Sequence, residues 1–312
     1  MHTVFIINPA AGAGNDFREL KDGIERSKTD LADEVTVYET RGVGDAEIFV
    51  RKTLEEHPDD ILFVACGGDG TLNEVLNGSR GFGNAVISVY PSGTGNDFVR
   101  NFPEAGDFRD PAAIVGGSEV VCDAIEISGV MDGKYQTRLC ANMINIGFDA
   151  NVVAKTAEMK QKPLLSGSAA YLASVFLILI KKKGAALRIT ADGETLADGG
   201  ILLTSLANGS YCGGGVMSNP YASLQDGSID MSVIKNISRT RFIGLFPKYQ
   251  KGVHLDIPGI EEIITNVKAK DITLTPLNGP VTVSVDGEIT RDDELHVRVV
   301  PAAFRFMVPA KA

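Results

Sequence analysis

Residues 66–78 read CGGDGTLNEVLNG, in which Gly67, Gly68 and Gly70 flank a single carboxylate, Asp69, and Thr71 stands three residues ahead of Glu74. Bare backbone amides at the start of a helix attract anions, and a carboxylate beside them is tolerable when a cation joins the anion. Nucleotide phosphates with Mg²⁺ fit that combination. Thr71 and Glu74 also match a capping box, which accounts for those two residues without any ligand but leaves the glycines around Asp69 unexplained. Two further stretches have the same character: NPAAGAG at 8–14, offering Asn8, Gly12 and Gly14, and PSGTGNDF at 91–98, offering Ser92, Gly93, Thr94, Gly95, Asn96 and Asp97. Each alone reads as an ordinary Asn-Pro or Ser-Gly turn; gathered at one edge they favour phosphate binding.

The elements that must gather them are legible from the apolar runs. TVFII (3–7), EVTVY (34–38), DILFVA (60–65) and AVISVY (85–90) alternate with polar, helix-length segments beginning near Asp16, Asp45 and Thr71. Strands apolar on both faces, alternating with helices, predict a doubly wound parallel sheet of the α/β class. Every glycine-rich stretch then follows a strand and falls at the carboxyl edge, where such sheets bind ligands. After about Asp123 the pattern changes to β-rich segments punctuated by Asp-Gly and Asn-Gly turns, such as ALRITADG, GSIDMSVI and VTVSVDGEIT. These predict a second, mainly antiparallel β-sandwich domain. The expected organisation is a nucleotide-binding domain over 1–123, a β-rich substrate domain over 124–295, and a return of about 296–312 to the first domain, with helices at 167–182 and 239–251.

The 312 residues suffice for two domains with real cores. A net charge of −10 argues against a general nucleic-acid binder, which needs a basic surface. Cys66, Cys122, Cys140 and Cys212 show no CxxC spacing, as expected of a reduced, cytoplasmic protein. The N-terminus lacks the features of a signal peptide. The most lipid-like stretch, 169–180, is too short to span a bilayer as a helix. Segment 164–180, followed by Lys181, Lys182 and Lys183, reads either as a core helix with a basic C-terminal cap or as a greasy wall for acyl chains beside a basic anchor on the inner face of a membrane.

Other chemistries fail on the residues. A Walker A loop, an H-R-D catalytic loop and a G-x-S-x-G elbow are absent, and His2, His57, His254 and His296 form no sequence cluster. A dinucleotide fingerprint matches in part at Gly12-Ala-Gly14, but Phe17 stands where a third glycine is needed for helix–strand packing.

GGDGTLNEVLNG, NPAAGAG, PSGTGNDF and the late SVDGE, in that order and spacing, resemble the diacylglycerol kinase catalytic-domain family, which includes sphingosine kinases and bacterial lipid kinases. The resemblance runs over essentially the whole chain, and NAD kinases share the GGDG stretch. It implies an ATP- and Mg²⁺-dependent lipid kinase, with diacylglycerol as acceptor and a soluble NAD kinase-type enzyme as the alternative. By the same resemblance, Asn8, Thr40, Gly67, Gly68, Gly70, Thr71, Glu74, Ser92, Gly93 and Thr94 line the ATP site. Asp69 lies by the phosphates and helps hold Mg²⁺, with Asp97 near it on the acceptor side. Asp123 orients the acceptor hydroxyl or belongs to its charge network, and Arg138 contacts phosphate. Glu288 is the general base, presented across an interdomain cleft, with Asp286 nearby and assigned to the nucleotide site; the residues alone favour a plain hairpin turn at Asp286-Gly287. A structural Mg²⁺ site maps to Asp226 with the carbonyls of Ser223 and Ser228, against which stands an ordinary Asp-Gly turn. The implied partner is a lipid at a membrane surface; the oligomeric state stays open, a homodimer included.

Overall fold

The computed structural model describes residues 1–11, 16–27, 34–147 and 184–311. Gly12, Gly14, the helix expected at 167–182, the apolar segment 164–180 and Lys181–Lys183 lie outside the described residues. The chain divides into two compact units, residues 1–124 with 301–312, and residues 125–300.

In the first unit, strands β1 (His2–Ile7), β2 (Val35–Glu39), β3 (Ile61–Gly67) and β4 (Ala85–Pro91) alternate with helices α1 (Asp16–Ser27), α2 (Asp45–Glu56) and α3 (Asp69–Ser79). The strands lie in the order β2-β1-β3-β4 and every pairing is parallel. All seven residues of β3 are buried, as a central strand covered on both faces requires. Beside β4 lies a stretch from the far end of the chain, with Arg305 opposite Val86 and Phe306 opposite Ile87. Ser88 Oγ donates to the Met307 carbonyl at 2.8 Å and secures it. Phe306 also stacks on Phe102, with ring centroids 5.0 Å apart, and meets Phe98 edge-on at 5.0 Å. This aromatic cluster pins the turn that follows PSGTGND.

A short helix, α4 (Pro111–Val115), capped by Asp110, leads into β5 (Ser118–Met131) and the second unit. There β6 (Lys134–Cys140), β7 (Met143–Gly147), β8 (Ala185–Ala191), β9 (Glu194–Ala207), β10 (Tyr211–Cys212), β11 (Val216–Met217) and β12 (Ile229–Lys235) precede helix α5 (Arg239–Gln250). Strands β13 (Ile264–Ala269), β14 (Asp271–Pro276), β15 (Val281–Val285) and β16 (Glu288–Val308) complete it. The long strands β9 and β16 each change partners along their length, so the pairings β9-β7-β15-β16-β14-β8-β9 close on themselves, all antiparallel. Ile144, Ile146, Leu187, Ile189, Leu206, Val283 and Leu295 fill the interior.

Three hairpins share one construction. Asp132-Gly133, Asp192-Gly193 and Asp286-Gly287 all take positive φ at both positions, 47° and 79°, 47° and 87°, and 48° and 91°. That is the backbone of the tight turn whose twist matches flanking strands, and Asp-Gly is a pair that tolerates it. In each, the aspartate side chain then accepts from main-chain N–H groups of a neighbouring segment: Arg291 N to Asp132, Lys270 N and Asp271 N to Asp192, and residues 141–143 to Asp286.

Candidate active site

The carboxyl ends of β1, β3 and β4 bring three loops of the first unit together. The Gly67 carbonyl accepts hydrogen bonds from Ser92 N at 3.0 Å and Gly93 N at 3.1 Å, which ties the β3 loop to the β4 loop. A Cβ on Gly93 would lie 2.3 Å from Gly68 Cα, and one on Gly67 would lie 2.2 Å from Thr71 Oγ1. Gly68 and Gly93 therefore serve close approach of backbone to backbone, and Gly67 leaves room for the Thr71 side chain. Asn8 Nδ2 donates to Thr71 Oγ1 at 3.1 Å, so the first loop joins the same corner.

Helix α3 starts at Asp69, with Gly68 as its N-cap and no side-chain capping bond. The capping-box expectation is thereby corrected: the chain turns at Gly68, which places Thr71 inside the first turn and bonded to Asn8. Glu74 serves a different helix. Its Oε1 accepts from Gly44 N at 2.9 Å and its Oε2 from Ala46 N at 3.1 Å, satisfying amides at the start of α2. Both oxygens of Glu74 thus hold the start of α2 beside the 40–45 loop. Thr40 stands in that loop, its amide bonded to the Ile7 carbonyl at 2.8 Å.

Asp69 and Asp97 converge. Asp69 Oδ1 accepts from Asp97 N at 2.9 Å and Phe98 N at 3.3 Å. A Cβ on Gly95 would lie 2.8 Å from Asp69 Oδ2 and 3.4 Å from Asp97 Oδ2, so both carboxylates border one bare α-carbon. Asp97 is buried, with Oδ1 3.5 Å from Arg100 Nε. Asn96, at φ 50°, clasps Gly93 in two directions, accepting from its N at 3.1 Å and donating to its O at 2.7 Å. Ser92 is buried and its Oγ has no partner among the described residues, whereas Thr94 is exposed and Gly70 lies in the first turn of α3.

Residues that the motif reading passed over shape the same region. Asp45 Oδ2 accepts from Tyr38 Oη at 2.8 Å and Arg41 N at 2.9 Å, and Tyr38 stacks on Phe49 at 3.7 Å. The Arg41 amide, then the Tyr38 hydroxyl, hold the Asp45 carboxyl below its ordinary range; burial, then that aspartate, push Tyr38 up. An aspartate at a helix start, four residues after an arginine, is the only sequence signal for this clasp.

Asp123 is buried and accepts from Ala302 N at 2.8 Å, the residue at φ 50° where the chain re-enters the first unit.

In the second unit, Asp286 is 7% exposed and lies in a nest of donors. Its Oδ1 accepts from Cys140 Sγ at 3.0 Å, Asn142 N at 2.9 Å and Met143 N at 3.1 Å, and its Oδ2 from Ala141 N at 2.8 Å. The assignment of Asp286 to the nucleotide is corrected on that ground, since both oxygens are spent on the 140–143 turn. Burial, reinforced by the Asp286 charge, pushes the Cys140 thiol well up. Glu288 starts β16 opposite Val285 and is exposed. Arg138 sits on β6 opposite Ile127, half-buried.

Asp226 accepts from Ser228 N at 3.0 Å and forms an ion pair with Lys268, while Ser223 Oγ accepts from Gln225 N at 3.4 Å. The Mg²⁺ set at 223–228 does not fit this arrangement, because the turn's one carboxylate already carries an ammonium. No group of three or more His, Cys, Asp and Glu suited to a metal occurs among the described residues.

With this geometry in place, comparison with known proteins is decisive. Residues 2–127 match the diacylglycerol kinase catalytic domain, and residues 142–308 match the YegS C-terminal NAD kinase beta sandwich-like domain. A probable lipid kinase YegS-like of Pseudomonas aeruginosa strain UCBPP-PA14 is 30% identical over 308 residues, covering 98% of this chain and 94% of the relative. The chain belongs to the diacylglycerol kinase catalytic-domain family. It is thus one of the phosphotransferases that use an alcohol as acceptor. A diacylglycerol kinase of Staphylococcus aureus strain bovine RF122 / ET3-1 is 29% identical over 288 residues, covering 91% of this chain and 84% of that one. The fold is that of a putative diacylglycerol kinase from Bacillus anthracis (TM-score 0.72, 22% identity, 98% and 96% covered). A yeast NADH kinase complexed with NADH is more distant (TM-score 0.55, 15% identity, 100% and 84% covered).

Proposed function

We propose that this family member transfers the γ-phosphoryl group of ATP to a lipid hydroxyl, converting diacylglycerol to phosphatidic acid. The observation that carries the reading is the corner at 67–71 and 92–97, where two glycine loops are bonded to one another and two carboxylates border Gly95. Such a corner offers backbone amides to phosphate oxygens and a carboxylate pair to a hard cation. The bare α-carbon at Gly95 leaves room between the carboxylates, and Asp69 and Asp97 are the residues that would hold Mg²⁺. Bound there, the ion neutralises charge on the phosphoryl oxygens.

Phosphoryl transfer demands alignment and charge stabilisation more than covalent help. In this reading Glu288 accepts the proton of the acceptor hydroxyl while that oxygen attacks the γ-phosphorus and the bond to the β,γ-bridging oxygen breaks, leaving ADP. The base assignment rests on the resemblance of Val285–Glu288 to the family motif. A lipid acceptor is supported by relatives named as lipid and diacylglycerol kinases across nearly the whole chain. No helix among the described residues is long and apolar enough to cross a membrane.

The test is a labelling reaction with γ-labelled ATP, Mg²⁺ and total lipid extract, with NAD in a parallel tube. Label recovered as phosphatidic acid is the expected result; label on NAD with none on lipid overturns it. Glu288→Gln should lower kcat by ~10²–10⁴-fold, the usual contribution of a positioned base.

A further inference from the structure

Helix α5 presents a face that its own unit does not use. Residues 231–255 contain Lys235, Arg239, Arg241, Lys248 and Lys251 and no acidic residue, in a chain whose net charge is −10. Phe242, Leu245 and Tyr249 bury the inner side of the helix against Ile234, Ile260 and Ile264. Arg241, Lys248 and Lys251 are exposed; Arg241 and Lys248 lie along one line of the helix surface, and Lys251 is its C-cap. None of the three forms an ion pair among the described residues. On the other flank of the helix's outer surface Ile243 is 54% exposed. Past the helix end, Val253, 45% exposed, folds back through its amide onto the Lys248 carbonyl at 3.1 Å. Tyr221, 53% exposed, bonds Asp256 at 3.4 Å close by.

Apolar side chains interleaved with lysine and arginine on a surface helix are the composition that lies down on a lipid–water boundary. An acidic protein partner would match the charges but not the protruding Ile243 and Val253, and a net charge of −10 repels an anionic surface except where a local basic patch meets it. The basic face is what selects the orientation. We infer that the outer face of α5, with Val253 and Tyr221, docks this protein on the surface of an anionic bilayer. The inference rests on the lipid-kinase reading, which requires the protein to meet its acceptor at such a surface.

The experiment uses the full chain, sedimented with vesicles of phosphatidylcholine alone or with phosphatidylglycerol mixed in, at low and at high salt. Wild type should bind the anionic vesicles and release at high salt, because exposed charges are screened within a Debye length. Replacing three cations, Arg241→Gln, Lys248→Gln and Lys251→Gln, should weaken that partitioning by about a hundredfold, at about fivefold per charge. Thermal melting and turnover on a short-chain acceptor dispersed in detergent should stay unchanged. Ile243→Ser should weaken binding several-fold in a salt-independent way. Wild-type binding by the triple variant, or equal wild-type binding to both vesicle types, overturns the inference. So does self-association that the triple variant loses, which would give the face to a second copy. Vesicle binding that depends on α5 without phosphorylation of any lipid supports the docking face and counts against the proposed activity instead.

Discussion

The two units use the same residue pair, aspartate beside glycine, for opposite purposes. In the second unit Asp132, Asp192 and Asp286 each sit at the tip of a hairpin and turn their carboxylates onto main-chain amides, so the charge is consumed by the fold. In the first unit the glycines at 68 and 93 let two loops touch, and Asp69 keeps Oδ2 on the side of Gly95 where Asp97 also faces. A carboxylate enclosed by donors is architecture; two carboxylates bordering a bare α-carbon are an invitation to a cation. Local sequence cannot separate these cases, because GGDGT and VDGEI carry the same aspartate and glycine.

The sharpest way to break the comparison is to remove charge without volume in the first unit. Asp69→Asn keeps an acceptor for the Asp97 and Phe98 amides and should cost on the order of 10³-fold in kcat with little change in melting temperature. Steady-state kinetics with calorimetry on the same preparation decide it; a variant that melts early but turns over normally once folded would make Asp69 architecture too. Asp286→Ala should do the reverse, destabilising the fold by ~3 kcal/mol because several buried donors lose their acceptor. Denaturant unfolding reads this directly, and an unchanged midpoint would reopen the case for Asp286 as a site residue.

The pH dependence of stability sharpens the same contrast, since the second unit also encloses His254 and Asp292. Burial lowers His254 to about 4, so the unfolded chain takes up the proton first and stability falls as pH drops from the ordinary histidine value toward 4. Burial raises Asp292 to about 6, so the folded chain holds that proton longer, and its cost is felt as pH rises through about 6. Asp292→Asn should therefore add ~2 kcal/mol at pH 8 and almost nothing at pH 4, while His254→Phe should flatten the acid limb, both followed by urea titration across pH. The smallest expected effect is Glu74→Gln, which weakens the α2 cap by ~1 kcal/mol and raises KM for ATP with kcat nearly unchanged, in keeping with a residue that only steadies the 40–45 loop.

The parallel sheet was legible because four apolar runs bounded by glycine have little other reading, and the strands fall within a residue or two of those runs. The three loops meet for the same reason: the strand ends place them together. Less legible were the partners of individual side chains. Glu74 stands where a capping box predicts it, yet it bonds Gly44 and Ala46, about thirty positions upstream, because α3 begins at Asp69 and turns that side chain toward α2. Asp286 lies in a recognisable motif, yet its four donors come from residues 140–143, which no spacing near the motif announces. Lys268 lies forty-two positions from Asp226, so its claim on that carboxylate was likewise invisible.

The slot beside β4 carries a biosynthetic consequence. It is filled by Arg305 and Phe306, made only after the whole of 125–300 has been translated. Until the ribosome reaches those residues, a nascent chain holding 1–124 displays the bare hydrogen-bonding rim of Val86 and Ile87, a template for mispairing. Expressed alone, that stretch should need a chaperone or precipitate, and adding 301–312 as a separate peptide should rescue it.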